Sequence, residues 1–335
     1  MATSRKKPGL DMIAIGESQR DIFYQIHEAS VSCSIHRERC LLCLEYAEKI
    51  PVEHVVKVPA AGNSANAAVG ASRLGLKTAL VSWMGTDNAG KHLKEALACE
   101  KVGLQFLMID TQHPTSEATN ITFQGERTQL VYFQPRKHSL PKLSATRCIY
   151  YSAMGAKHDA FDAMLKKELK RHPNALFAFQ PGTTHIRQGL DVLKVFITRS
   201  DLFILNKDEA HLLLADGDRT VCNMLERFGN HGAKNVIITD GKNGADGWDG
   251  KTHWHMPIFD GEAKERTGAG DSFACGATVA LLEGLDLPTA LRYGTANSWS
   301  VVQQVGPQKG LLTGREMQRV LRKFSKIKPT IHKHD

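Results

Sequence analysis

Asp271 follows the run Gly268-Ala269-Gly270 in "ERTGAGDSFACG", residues 265–276, and the small apolar residues behind it read as the start of a helix. Three small residues let successive backbone N–H groups converge, and a helix start adds its positive dipole end, which together make a cradle for an anion. A carboxylate beside such a cradle is repelled by any phosphate held there, so its presence needs a chemical reason. Taking the proton from a hydroxyl that attacks the phosphate supplies one. Without that chemistry the same residues are a glycine-rich turn with Asp271 as a helix cap.

Other phosphate-binding loops do not fit. The nearest candidate for G-x-x-x-x-G-K-[ST], "ADGWDGKT", has Ala245 where the first glycine belongs, and no G-x-G-x-x-G follows the first strand. "LNKDEA" (205–210) sets Asn206 and Glu209 three apart, on one helix face. By itself that pair is a helix cap with an acid in the first turn.

The elements that must position these groups alternate. "DMIAIG" (11–16) reads as a short buried strand, "NSANAAVGASRLG" (63–75) as a tightly packed helix closed by glycine, and "TALVSWMG" as the next strand before a helix from Asn88. The alternation continues through "ALFAFQPG", helix 188–199, "DLFILN", helices 207–215 and 220–232, "NVIITDG", and two helices from near Asp271 and Pro288. This predicts an α/β fold, a doubly wound and mostly parallel sheet with ligands beyond the strand C-termini. Residues 17–60 and 112–138, rich in β-branched and alternating residues, are expected to form antiparallel strands outside that core, as a small discontinuous lid. One domain is expected over 11–325, with 1–10 and 326–335 as frayed ends.

The glycine-rich stretch has a relative. "ERTGAGDSF" resembles the C-terminal signature of the ribokinase-like (PfkB) carbohydrate kinase family, D-T-x-G-A-G-D, and "AAGNSANAAVGASRLG" (60–75) resembles its N-terminal glycine signature. Both stand in the family's order, and the similarity runs from about residue 11 to 325. The resemblance implies ATP-dependent, Mg²⁺-assisted transfer of the γ-phosphoryl group to a sugar hydroxyl beneath a β lid, with a nucleoside or a phosphosugar as alternative acceptors. It makes Asp271 the catalytic base and the N–H groups of Gly268, Ala269 and Gly270 the anion hole. Asn206 is then expected at the ATP phosphates, Glu209 on Mg²⁺ through water, Thr239 and Gly241 (from "ITDGKNG") under the nucleotide phosphates, and Asn297 beside the adenine. Asp21, Gly62, Asn63 and Asn66 match positions that bind acceptor hydroxyls. Such kinases often pair lid to lid, so a homodimer is expected.

Three departures stand out. Glu265 replaces the usual aspartate, a carboxylate that helps hold a monovalent cation in some members, which puts K⁺ activation of this chain in doubt. Ala61 replaces a glycine, and Arg266 the usual threonine.

Three further side chains are candidates from position alone. Gln180 ends a strand that points at the expected cleft, and Arg127 and Arg136 flank "TQLVYFQP", where each could reach an anionic acceptor or simply decorate a lid edge. The aromatics Phe23, Tyr24, Tyr132 and Phe133 alternate, so only some can face the cleft. His185 and the other histidines are read as surface or capping residues.

The net charge of +8, from 43 Lys and Arg against 35 Asp and Glu, is mild and partly terminal. It suits phosphate-bearing small molecules, and no basic stripe interleaved with aromatics points to nucleic acid. No stretch reaches the roughly 20 apolar residues of a membrane span, so a cytoplasmic protein without a membrane partner is expected. Seven cysteines, an odd number, predict reduced thiols over a disulfide framework. Cys33, His36, Cys40 and Cys43 have a spacing that could hold zinc, but alternating strand residues point to opposite faces, so apolar packing is the favoured reading.

Overall fold

The computed structural model of the chain describes residues 9–34, 40–155, 158–215, 217 and 220–332. Met12, Ile13, Ala14 and Ile15 are all fully buried. They nevertheless serve two cores: Met12 and Ala14 belong to one apolar cluster, Ile13 and Ile15 to another. Successive side chains of a strand point to opposite faces, so an unbroken apolar run is what a strand covered on both sides requires.

Helices supply the two covers. Asn63–Arg73, Ala269–Leu282 and Leu287–Val301 pack their small residues on the first face. Asp159–Arg171, Leu190–Arg199 and Val221–Asn230 pack larger ones on the second, where Phe161, Phe196 and Phe228 are buried. Between them runs a ten-stranded sheet in the order Thr330–Ile331, His253–Met256, Ala245–Trp248, Val236–Thr239, Leu202–Asn206, Leu176–Phe179, Thr146–Tyr151, Leu10–Ile15, Thr78–Gly85, Leu107–Asp110. Every pairing from Val236–Thr239 to Leu107–Asp110 is parallel, and the three beyond Val236–Thr239 are antiparallel. The doubly wound, mostly parallel architecture is therefore present. Thr330–Ile331 pairs within the stretch expected to fray.

A smaller, separate sheet is made of Val52–Ala61, Gln19–Ile26, Glu117–Phe123 and Glu126–Tyr132 in that order, and a hairpin of Ser30–Cys33 and Cys40–Cys43 extends from it. It is not wholly antiparallel as the residue pattern suggested. Gln19–Ile26 pairs in parallel with Glu117–Phe123 at its centre, because the chain crosses the large sheet between them. Thr146–Tyr151, at the middle of the large sheet, also escapes the sequence pattern. The apolar layers on its two faces bury it completely from Cys148 to Tyr151. Among the described residues no helix is long and apolar enough to cross a membrane.

Candidate active site

The parallel register lines up the strand ends. Tyr151 lies opposite Phe179 and Asn206 opposite Thr239, so the residues that follow them share one rim. Between this rim and the inner face of the small sheet lies a cleft of about 760 Å³. Asp271, Gly268, Gly270, Asn206, Glu209, Thr239, Asp21, Gly62, Asn63, Asn66 and Gln180 all line it.

Asp271 sits in the first turn of helix Ala269–Leu282, half-buried at the cleft floor. Asn66 Nδ2 donates to its Oδ2 at 2.8 Å and Gln180 Nε2 to its Oδ1 at 3.2 Å. Burial pushes the carboxyl upward, against the two amide donors and the Arg127 charge. Gly268 makes the turn possible: its φ is +78°, and a Cβ there would stand 2.4 Å from Pro307 Cβ. Ala269 N–H bonds the Arg266 carbonyl at 3.2 Å, whereas among the described residues the N–H groups of Gly268 and Gly270 have no acceptor.

Asn206 and Glu209 begin helix Lys207–Leu214 as a reciprocal capping box. The cap uses Asn206 Oδ1 and Glu209 Oε2 and leaves Asn206 Nδ2 and Glu209 Oε1 for a ligand. Burial raises the Glu209 carboxyl to about 7, with Asp271 and Asp208 adding to the rise.

Asp21 is buried on the inner face of the small sheet and receives Gln19 Nε2 at 2.8 Å. Gly62 carries the chain from that sheet into helix Asn63–Arg73 at φ +105°, where a Cβ would meet the Glu17 carbonyl oxygen at 2.7 Å.

Four expected residues are not on the cleft wall. Arg136 lies past the end of its strand and is buried: Nη2 donates to the Pro114 carbonyl at 2.6 Å, and Nε stands 3.7 Å from Glu17 and 3.8 Å from Asp110. A buried guanidinium must keep its carboxylates, so it is unavailable to an acceptor. Asn297 is fully buried and joins Ser272 O at 2.8 Å to Leu312 N at 3.1 Å, which makes it a clamp between two segments. Gly241 turns away in a short 3₁₀ segment, and Ala269 is spanned by its neighbours.

The wall takes in the candidates Arg127 and Phe133 together with residues the sequence did not single out. Arg127, Gln129 and Val131 alternate into the cleft, followed by Phe133, while Tyr24 and Tyr132 lie on the opposite face. Thr183, Thr184 and Arg187 come from the short helix Thr183–Gln188, a segment ahead of the helix expected over 188–199 that the residue pattern left unassigned. That helix is tied down from behind. Gly182 N–H donates to His185 Nδ1 at 3.2 Å, His185 Nε2 faces the Tyr151 hydroxyl at 2.9 Å, and Tyr151 donates to Asp162 at 2.5 Å. His185 is therefore a core histidine rather than a surface one, and burial holds it well below its usual range, so it is neutral. His158, Asp162 and His185 lie close together, but the Gly182 N–H already occupies the His185 Nδ1 lone pair.

Cys33 and Cys40 are joined in a disulfide, contrary to the expectation of reduced thiols, and Cys43 is an exposed free cysteine. The fourth member of the zinc spacing, His36, lies outside the described residues.

Residues 30–313 match the pfkB family carbohydrate kinases. The chain belongs to that family. The kinase is 25% identical over 261 residues to the ATP-dependent 6-phosphofructokinase of Thermoanaerobacterium thermosaccharolyticum, covering 73% of this chain and 79% of that one. It is also 25% identical over 253 residues to the fructoselysine 6-kinase of Escherichia coli, covering 73% and 90%. The structure of Arabidopsis thaliana ribokinase complexed with ribose and ATP superposes with a TM-score of 0.74 at 19% identity, over 94% of this chain and 99% of that one, and so shares the fold.

In this kinase two of the three signature departures, Glu265 and Arg266, have structural work. Glu265 is buried and takes bonds from the Thr267 N–H at 2.6 Å, the Thr267 hydroxyl and the Gly306 N–H at 3.2 Å, which pins the loop ahead of the cradle. Arg266 pairs with Glu126 at 2.6 Å and ties that loop to the small sheet.

Proposed function

We propose that this carbohydrate kinase transfers the γ-phosphoryl group of ATP to a sugar hydroxyl with Asp271 as general base. The observation that carries the reading is Asp271 held by two amide donors in one cleft with the unpaired N–H groups of Gly268 and Gly270.

The residues suit a metal–nucleotide. Glu209 Oε1 and Asn206 Nδ2 face the cleft unspent by their cap, and an oxygen donor holding Mg²⁺ through water matches that ion's habits. When bound, ATP with Mg²⁺ supplies the phosphoryl group and neutralises charge on its oxygens. The Gly268 and Gly270 N–H groups hold the anionic group at the helix start, and Thr239 stands at the neighbouring strand end. Asp271 accepts the acceptor's hydroxyl proton on a carboxylate lone pair not taken by Asn66 or Gln180. Asn66 is committed to the base, so reading the acceptor falls mainly to Asp21 and Asn63, short polar groups suited to vicinal hydroxyls.

A free pentose or hexose fits this wall. A phosphorylated acceptor is the second reading, favoured by Arg127 and Arg187, which face the cleft from opposite sides. The kinase works in the cytoplasm as a dimer on this reading, and the Cys33–Cys40 hairpin lies off the cleft wall. Comparing kcat/KM for ribose, fructose, fructose 6-phosphate and adenosine at fixed ATP tests it. A preference above about 10-fold for fructose 6-phosphate selects the second reading, and one for adenosine makes this a nucleoside kinase. No ADP formed with any sugar refutes the proposal.

A further inference from the structure

Tyr150 is fully buried and forms no part of the cleft wall, yet it reaches the base through a single residue. Its strand runs parallel to Leu176–Phe179 with Tyr150 opposite Ala178, and the Gln180 N–H bonds the Tyr151 carbonyl at 2.9 Å. This brings the Gln180 side chain within reach of Tyr150, whose hydroxyl donates to Gln180 Oε1. An amide whose oxygen is taken must turn its nitrogen the other way, and Gln180 Nε2 meets Asp271 Oδ1.

The other carboxylate oxygen repeats the arrangement. Gln308 Nε2 donates to the Ala60 carbonyl at 2.5 Å and to Asn66 Oδ1 at 2.9 Å, so Asn66 turns Nδ2 to Asp271 Oδ2. The two ends of an amide have nearly the same shape, so only a third group decides which end faces a carboxylate.

We propose that Tyr150 and Gln308 are positioning residues: each locks one side-chain amide in the orientation that offers Asp271 a donor, keeping the base, half-buried at the cleft floor, ionised and aimed. The inference rests on the reading of Asp271 as the base. A buried carboxylate drifts toward its neutral form unless donors or cations hold the charge. Arg127 from the small sheet helps, while Asp21 from that sheet and Glu209 from helix Lys207–Leu214 oppose. Cys275 and Tyr150, behind the base, are both held neutral by burial.

Tyr150→Phe keeps the ring and frees the Gln180 amide to present its oxygen. Gln180→Glu keeps the shape and replaces the donor with an acceptor, and Gln308→Leu frees Asn66. In ATP-free protein labelled with ¹³C at aspartate, the Asp271 carboxyl should titrate higher in Tyr150→Phe by roughly half a pH unit or more, and further in Gln180→Glu. The acid limb of the kcat profile should move the same way, with acceptor KM within about twofold. A purely structural loss would lower the active fraction without moving either curve. An unmoved Asp271 titration in folded Tyr150→Phe and Gln180→Glu overturns the proposal. The titration needs no turnover, so it stands apart from the kinase reading, which fails instead if Asp271→Asn turns over normally.

Discussion

Asn206 and Glu209 cap each other: Asn206 Oδ1 accepts the Glu209 N–H at 2.8 Å, and Glu209 Oε2 accepts the Asn206 N–H at 2.9 Å. Glutamine serves that cap as well as glutamate. Glu209→Gln should therefore change the stability of the ligand-free protein by less than about 1 kcal/mol. The Mg²⁺ concentration for half-maximal rate should rise roughly 10–100-fold, the usual cost of losing a residue that orients a metal's shell. A metal titration of the rate checks this, and an unchanged Mg²⁺ requirement removes Glu209 from the metal site.

Asp271→Asn gives Asn66 and Gln180 one oxygen to share in place of two. Turnover at saturating substrates should fall roughly 10²–10⁴-fold. Binding of a non-hydrolysable ATP analogue, followed by calorimetry, should be nearly unchanged because the cradle is backbone. Activity above about a tenth of the wild type would sink the assignment of the base.

Asp21 titrates at about 6 in the folded protein against an ordinary 3.8, chiefly because it is buried, with Gln19 and Arg127 pulling it down and Asp271 and Glu265 pushing it up. The folded state thus holds this proton more tightly than the unfolded chain does. The group's contribution to stability is greatest below pH 4, declines as pH rises toward 6, and then levels. Asp21→Asn removes that decline. In thermal melts without ligand, the variant should gain on the wild type between pH 4 and pH 7, by of order 1–3 kcal/mol. A difference that stays constant or shrinks across this range contradicts the sign.

On the outer face of the small sheet, Val55, Tyr24 and Ile121 form one cross-strand row, and Ile22, Thr119 and Leu130 the next. Leu130 is 59% and Tyr132 61% exposed. A second copy covering this face would make the homodimer expected of the lid. Light scattering at micromolar concentration should give the mass of two chains, and Leu130→Glu should give one. The cleft should be undisturbed, since Leu130 points away from Arg127, Gln129 and Val131. A monomeric wild-type protein ends this proposal.

Much of the site was legible from neighbouring residues alone. The turn at Gly268, the Asn206 and Glu209 cap, and the two-faced strand Leu10–Ile15 are short-range structures whose causes lie within a few positions: a backbone that needs φ above zero, a side chain that reaches its own helix start, an apolar run with no polar face. The order of signatures then indicated the family and nominated Asp271 as the candidate base. Tertiary structure decided what depends on register and on partners far away in the chain. Arg127 faces the cleft and Arg136 does not, because one stands in phase with Gln129 on a strand and the other lies past its end among Glu17 and Asp110. Asn297 became a clamp and His185 a core residue because their partners, Ser272 and Tyr151, come from other elements. The Asp271 carboxylate itself is held by Asn66, 205 residues away. Such contacts form only when packing brings distant segments together, and no local pattern of residue types encodes which end of an amide will face a carboxylate.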